Sequence, residues 1–304
     1  MANTINWGKA VDNNTIDWGK GSTTSTNDWG SIYADSASGE TSLESGIVPF
    51  DADAQAYFTA VETAGGTLSN DFKTYYNTMI LGLKSDGVYS KLLRFNPNAG
   101  GVEASAEIDQ IIPSTNNINF VNSPTIDSTI GVTFNGANQY ATTGFIPSTG
   151  FASATNWQAQ VYVMVKSTGT LKSILAAIDT TSRALMLRAA ALSAGQSSGR
   201  GLNASRVATS TSGTLDNQSI AVSRTSSTRL DIFVNGLSEA ADTLADTGTL
   251  PNIELYYGSR NNAGSAEQFA DGKFCFMTLA EGMDAANMLA LHSRIQTFLT
   301  AMGL

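Results

Sequence analysis

Two Asn-Gly pairs, each at the end of a short apolar run, constrain this chain more than any other feature. Ile130 to Phe134 leads into Asn135-Gly136, and Ile232 to Val234 leads into Asn235-Gly236. A two-residue type I′ turn needs positive φ at both central positions. Asn and Gly supply that at the lowest steric cost, so each pair predicts a β-hairpin. Between them, Trp157, Ala159, Val161, Val163 and Val165 alternate with Gln158, Gln160, Tyr162, Met164 and Lys166. Period-two alternation predicts a half-buried strand. Ser219 to Ser223 and Arg229 to Val234 flank the polar tip Thr225-Ser226-Ser227, and further strands are expected over 173–178, 183–189, 253–257 and 273–278. About a dozen short strands with regular turn signals over 105–283 predict an antiparallel β-sandwich.

Composition shows what such a sandwich must do without. Only 14% of the 304 residues are charged, the net charge is -9, and Ser, Thr and Asn together supply 90 residues. The surface is therefore polar but largely uncharged. With 17 basic against 26 acidic residues and no basic cluster, the footprint for nucleic acid is missing. No run of about 18 apolar residues predicts a membrane span. Residues 1–30 hold no apolar stretch of the kind a secretory signal needs. Cys275 is the only cysteine and His292 the only histidine, which excludes thiolate zinc sites and His-rich metal sites.

The N-terminal segment repeats itself. Thr4-Ile5-Asn6-Trp7-Gly8-Lys9 aligns without gaps on Thr15-Ile16-Asp17-Trp18-Gly19-Lys20, and Asn27-Asp28-Trp29-Gly30-Ser31 is a looser third copy. An 11-residue period can specify a right-handed coiled coil, but Gly, Asn, Thr and Asp are poor helix formers and the second apolar seam position is missing. An extended arm over 1–46 fits better. An odd period flips a strand's side chains, so a turn or bulge at Gly8, Gly19 and Gly30 is needed to face every Trp one way. Three exposed Trp side chains forgo roughly 1.5–3 kcal/mol of burial each. Ile5, Trp7, Gly8, Ile16, Trp18, Gly19, Trp29 and Gly30 are therefore expected to dock on an assembly partner or on sister copies.

Residues 47–104 read as helical. Asp51 to Phe58 predicts a short helix with acids at its positive end, broken by Gly65-Gly66. Ser69 caps a second helix whose Phe72, Tyr76, Met79 and Leu83 recur at helical spacing. Gly87 ends it, and Val88 to Phe95 is expected to add a further turn. This segment reads either as a neck or as a layer on the sandwich. Asp284 caps a closing helix over 284–304, with Met288, Leu291, Ile295, Phe298 and Met302 forming an apolar stripe. It is expected to cover the sandwich.

The residues that carry chemistry are sparse. Glu107-Ile108-Asp109-Gln110-Ile111 matches part of the Glu-x-Asp-x-x-Glu pattern of retaining glycoside hydrolases, but Ile112 stands where the acid/base is required. Without that second carboxyl no proton reaches the leaving group, so no catalytic residue is assigned. His292 sits beside the apolar stripe, and Cys275 lies in Phe274-Cys275-Phe276 and reads as a small core residue. Gly195 to Gly201 lacks the phosphate-loop lysine and reads as a loop.

The run Gly131-Val132-Thr133-Phe134-Asn135-Gly136-Ala137-Asn138-Gln139-Tyr140-Ala141-Thr142-Thr143 resembles the opening strands of concanavalin A-like, laminin G-like jelly rolls. So do Leu230 to Gly236, Tyr257-Gly258-Ser259-Arg260 and Gly272 to Phe276 before a closing helix. The full layout, with Asp51-Ala52-Asp53-Ala54-Gln55 and Leu83 to Leu92, is similar to virion structural proteins of tailed bacteriophages that carry a Trp-Gly arm, a helical segment and a lectin-like jelly roll. This resemblance implies a tail or capsid appendage (a fibre, spike or decoration subunit) located in the virion. It is expected to be a homo-oligomer, a trimer by preference, with other virion proteins as partners of the arm. The jelly roll also implies a glycan-binding, host-recognition module as the alternative, with Tyr256, Tyr257, Asn261 and Asn262 as exposed-loop contacts. A hydrolase is the third reading. No cofactor is expected. Laminin G-like domains can hold calcium at a loop rim, for which Asp179, Asp216 and Asp271 are candidates.

Overall fold

Asn235 and Gly236 sit at φ 52° and 76° and join two strands paired Val234 to Leu237, the expected type I′ hairpin. The computed structural model describes residues 49–115, 117–168, 171–190, 197–201, 207–210, 216–243, 245 and 248–304. The Trp-Gly arm, with Ile5, Trp7, Gly8, Ile16, Trp18, Gly19, Trp29 and Gly30, lies outside the described residues.

In chain order the helices are α1 (Ala52–Thr63), α2 (Asn70–Ser85), α3 (Glu103–Ala106), α4 (Pro147–Gly150) and α5 (Ala285–Ala301). The strands are β1 (Leu92–Asn96), β2 (Asn119–Val121), β3 (Thr125–Ile126), β4 (Val132–Thr133), β5 (Tyr140–Thr142), β6 (Trp157–Val165), β7 (Lys172–Ile178), β8 (Ala184–Ala190), β9 (Ser197–Gly201), β10 (Val207–Ser210), β11 (Gln218–Ser226), β12 (Arg229–Val234), β13 (Leu237–Asp242), β14 (Tyr256–Tyr257), β15 (Arg260–Asn262), β16 (Ser265–Glu267) and β17 (Lys273–Ala280). The first sheet runs β13-β12-β11-β6-β17-β4-β3, with β1 also on β17, and the second runs β10-β9-β8-β7-β14-β5-β2, extended by β15 and β16. Among the described residues, pairing is antiparallel except that β15 runs parallel to β7. The result is a mainly β, jelly-roll-like sandwich with a helical layer.

That layer explains the largest departure from the sequence pattern. Strand β6 is buried along both faces up to Met164, although its alternation predicts a half-buried strand. Trp157, Ala159, Val161 and Val163 face the second sheet, while Tyr162 and Met164 face α1, α2 and α5. Alternation therefore separates two apolar cores, not core from solvent. Ser69 and Asp284 cap α2 and α5 as expected, accepting from Phe72 N at 3.1 Å and Asn287 N at 2.9 Å. Met288, Leu291, Ile295 and Phe298 are buried against the first sheet, so α5 covers it. Phe72, Tyr76 and Phe276 all pack edge-on against Phe298. Helices α1 and α2 pack with α5 as a layer on the first sheet. Phe50–Leu304 forms one compact unit, and the expected boundaries at 104 and 283 fall within it.

Three local expectations change. Val88 to Phe95 yields one short 3-10 turn over Tyr89–Lys91, after which Leu92–Asn96 pairs with β17 and Phe95 packs on Phe276. Sheet pairing there outweighs the local helical pattern. Asn135-Gly136 closes no hairpin, because β4 belongs to the first sheet and β5 to the second. The Asn135 side chain instead accepts from the amides of Ala137, Asn138 and Gln139, turning the chain between sheets. Ser197–Gly201 is a strand, not a loop.

Candidate functional site

Pleat geometry decides what the second sheet shows outward. Ala141, Leu175 and Tyr257 point into the sandwich core, so their neighbours Tyr140, Ala176 and Tyr256 point away from it. The Tyr140 and Tyr256 rings lie 4.8 Å apart at 34°, and Phe269 joins them with its ring 6.1 Å from Tyr140. Tyr140 and Phe269 are half-buried, whereas Tyr256 is 8% exposed and forms the floor. Burial raises the Tyr256 phenol above its ordinary range, with Tyr140 and Glu254 adding to the effect.

A polar rim borders these rings. Gln268 Oε1 accepts from Ser173 Oγ at 2.9 Å and from an Arg188 guanidinium nitrogen at 3.3 Å. Glu267 Oε1 accepts from Asn262 Nδ2 at 2.9 Å, and its other oxygen pairs with Arg260. The Asn262 bond, then Arg260, hold the Glu267 carboxyl below its usual range. Ser173 is itself fully buried and fixes Gln268 from beneath, so the rim presents amides and fixed charges beside aromatic faces, which is the chemistry that orients a polar ligand on an apolar platform.

The four expected glycan contacts do not lie together on an exposed loop. Tyr256 and Asn262 border this face. Tyr257 is fully buried between the sheets, edge-on to Phe134, with its hydroxyl 3.2 Å from Asn98 Oδ1. Asn261 is buried and spends its amide on the chain itself, donating to Glu254 O and accepting from Gly264 N. Adjacent residues of a strand face opposite ways, so no such pair shares a surface. Phe269, Gln268 and Arg188 are not singled out in the sequence, and Tyr140 enters only within the run Gly131 to Thr143. Only Tyr140 carried a signal, as the outward neighbour of Ala141.

The remaining candidates fall elsewhere. Asp179 is buried and accepts from Thr181 N and Oγ, Arg183 N and Asn252 N, with Arg183 Nε at 2.7 Å. Its oxygens are already occupied. Asp271 engages Thr168 beside Lys172, at the other end of β7, and Asp216 accepts from Lys166 N. The three acids do not form a calcium cage. Glu107 and Asp109 lie in the turn after α3, where Glu107 accepts from Phe120 N and Asp109 from Phe95 N and Ile111 N. Both brace backbone. Cys275 is a buried core residue whose thiol is pushed far up by desolvation. His292 is half-buried with Nδ1 2.9 Å from Ser219 Oγ.

No protein-family model and no curated protein matches the chain in sequence. Solved structures do match in fold. A mutant of Trypanosoma rangeli sialidase displaying trans-sialidase activity superposes with a TM-score of 0.50 at 14% identity, over 73% of this chain and 39% of that one. Domain 4 of a GH43 extracellular arabinanase from Geobacillus stearothermophilus, in complex with arabinotriose, gives 0.49 at 12% identity, over 66% and 98%. The botulinum neurotoxin serotype G binding domain gives 0.46 at 10% identity, over 66% and 50%. The chain thus spans well under half of the sialidase it matches, and the likeness is one of β-sandwich fold.

Proposed function

We propose that this chain is a non-catalytic glycan-binding display protein, a structural component of a tailed-bacteriophage particle. Its sandwich presents a saccharide platform, and its Trp-Gly arm is the anchor. The observation that carries the reading is the outward grouping of Tyr140, Tyr256 and Phe269, bordered by Gln268, Arg188, Asn262 and Glu267. Sugar rings carry apolar C–H faces and hydroxyl rims, so they pair with aromatic faces edged by amides and charges. The non-catalytic reading is supported by Glu107 and Asp109, which serve as backbone acceptors and lack a partner acid at Ile112.

The test is an array of neutral and acidic oligosaccharides probed with the full-length protein. Binding that Tyr140→Ala weakens at least tenfold supports the platform, and a folded protein that binds no glycan overturns it. The anchor is tested separately: deleting residues 1–33 is expected to abolish incorporation into particles while the sandwich stays folded, and normal incorporation sinks the docking role.

A further inference from the structure

At the opposite end of β7 from Asp271 lies a cleft of about 330 Å³ that the sheet-face reading does not use. It is lined by Ser148, Phe151, Ser153, Arg183, Leu250 and Asn252, among others. We propose that this cleft is a second binding site, one that takes a neutral saccharide.

The floor is apolar and firm. Phe151 and Leu250 are 5% and 2% exposed and belong to the sandwich core. Phe151 packs edge-on against Phe145 at 4.8 Å and lies 6.2 Å from Trp157. The walls are polar and already ordered. Ser148 Oγ donates to Asn252 Oδ1 at 2.9 Å, and Ser153 Oγ lies 3.0 Å from Thr155 Oγ1. Arg183 donates through a terminal nitrogen to Thr249 Oγ1 at 2.8 Å while its Nε lies 2.7 Å from Asp179 Oδ2. Asp179 is itself locked by Thr181, Arg183 N and Asn252 N, and these bonds hold its carboxyl below the usual range against the opposing cost of burial.

Two consequences set the ligand class. The Arg183 charge is matched inside the wall by Asp179, so an anionic ligand meets a neutral ion pair with little net attraction to offer. The remaining groups are hydroxyls and an amide fixed over an apolar floor, and fixed polar groups bind without paying to order themselves. A volume of about 330 Å³ is at the small end of ligand pockets, which suits a short oligosaccharide segment and not a large aromatic cofactor.

The experiment uses the full chain, labelled with ¹⁵N, titrated with cellohexaose, xylohexaose and arabinohexaose as neutral probes and 3′-sialyllactose as an acidic one. The expected result is that a neutral probe shifts the amides of Ser148, Ser153, Thr249 and Asn252, and that Thr249→Trp, a change at an exposed position that fills the cleft, weakens this at least tenfold. Tyr140→Ala is expected to leave these shifts in place, which separates this site from the sheet-face platform. Failure of every neutral probe to shift those amides overturns the proposal. So does preferential binding of the acidic probe there, or unchanged binding by the Thr249→Trp protein. Shifts confined to Tyr140, Tyr256 and Phe269 support the sheet-face platform and overturn the cleft.

Discussion

The Tyr140 and Tyr256 rings lie 4.8 Å apart on the outward face of the second sheet, and Tyr140 is half-buried where Tyr256 is almost fully covered. Removing the half-buried ring is therefore the cleaner change. Tyr140→Ala is expected to weaken glycan binding at least tenfold, about 1.4 kcal/mol, while moving the unfolding midpoint little. Tyr256→Ala, taking out the floor, is expected to lower both. Isothermal titration and thermal melts on the two variants separate the roles; equal loss of stability in both would contradict the assignment.

His292 is the single imidazole in the chain, so its titration is directly readable by NMR. Burial lowers its pKa from the ordinary value of about 6.5. The folded state therefore binds less proton than the unfolded state, and stability rises with pH. The contribution is full above about 6.5 and is lost as pH falls through the lowered folded value. The imidazole resonance is expected to titrate below 6.5, and His292→Gln is expected to flatten this part of the stability profile. A midpoint at or above 6.5 contradicts the buried placement against Ser219.

Asp109 pulls the other way. Desolvation pushes its carboxyl up to about 6, against two backbone N–H bonds and the more distant Arg94. Its folded pKa is raised, so its contribution is full below about 4 and is lost as pH rises through about 6. The rise from the ordinary carboxylate value to about 6 corresponds to about 2–3 kcal/mol. The difference in unfolding free energy between wild type and Asp109→Asn, measured in urea at intervals from pH 4 to 7, is expected to change most between 4 and 6. A difference constant across that range would show that the carboxyl does not titrate there.

Much of the fold was legible because local chemistry and tertiary structure agree. Asn235-Gly236, the caps Ser69 and Asp284 and the apolar stripe of α5 each specify a geometry that the packed molecule keeps. Asn135-Gly136 misleads because an Asn side chain can satisfy successive amides as readily as it can enter a hairpin. Whether β6 is half-buried or wholly buried depends on helices more than 70 residues earlier or 100 later, and no window along the strand carries that information. The candidate site was less legible. Tyr140, Tyr256 and Arg188 reach one face only through pairings among β5, β7, β8 and β14, and Phe269 is brought there by the segment after β16, whose Gln268 and Ala270 bond to Ser173 and Gly258.

Gly199 shows why a strand can read as a loop. A Cβ built there would lie 2.5 Å from Val222 Cγ2, a core residue of the facing sheet. The missing side chain is what allows the two sheets to approach. Gly199→Ala is expected to cost about 1–3 kcal/mol by overpacking. Val222→Ala opens the space, so the double variant is expected to be more stable than the two single losses added together. Strict additivity in urea unfolding would mean that the contact is not made.

Gly236 joins the β12–β13 turn to α5 through backbone alone. Its φ is +76°, and a Cβ would lie 2.6 Å from Leu289 Cα and 2.9 Å from Met288 O, neither of which can swing aside like a side-chain tip. Two costs therefore add at this position: roughly 1–2 kcal/mol for a left-handed L-residue, and about 1–3 kcal/mol for displaced packing. Gly264 separates them, since it has φ +99° but no atom within 4 Å of the added carbon. Gly264→Ala is expected to show backbone strain alone. Gly236→Ala is expected to lose at least about 1 kcal/mol more and to raise hydrogen exchange in the first turns of α5. Equal losses in the two variants would mean that the hairpin and the helix are not in contact.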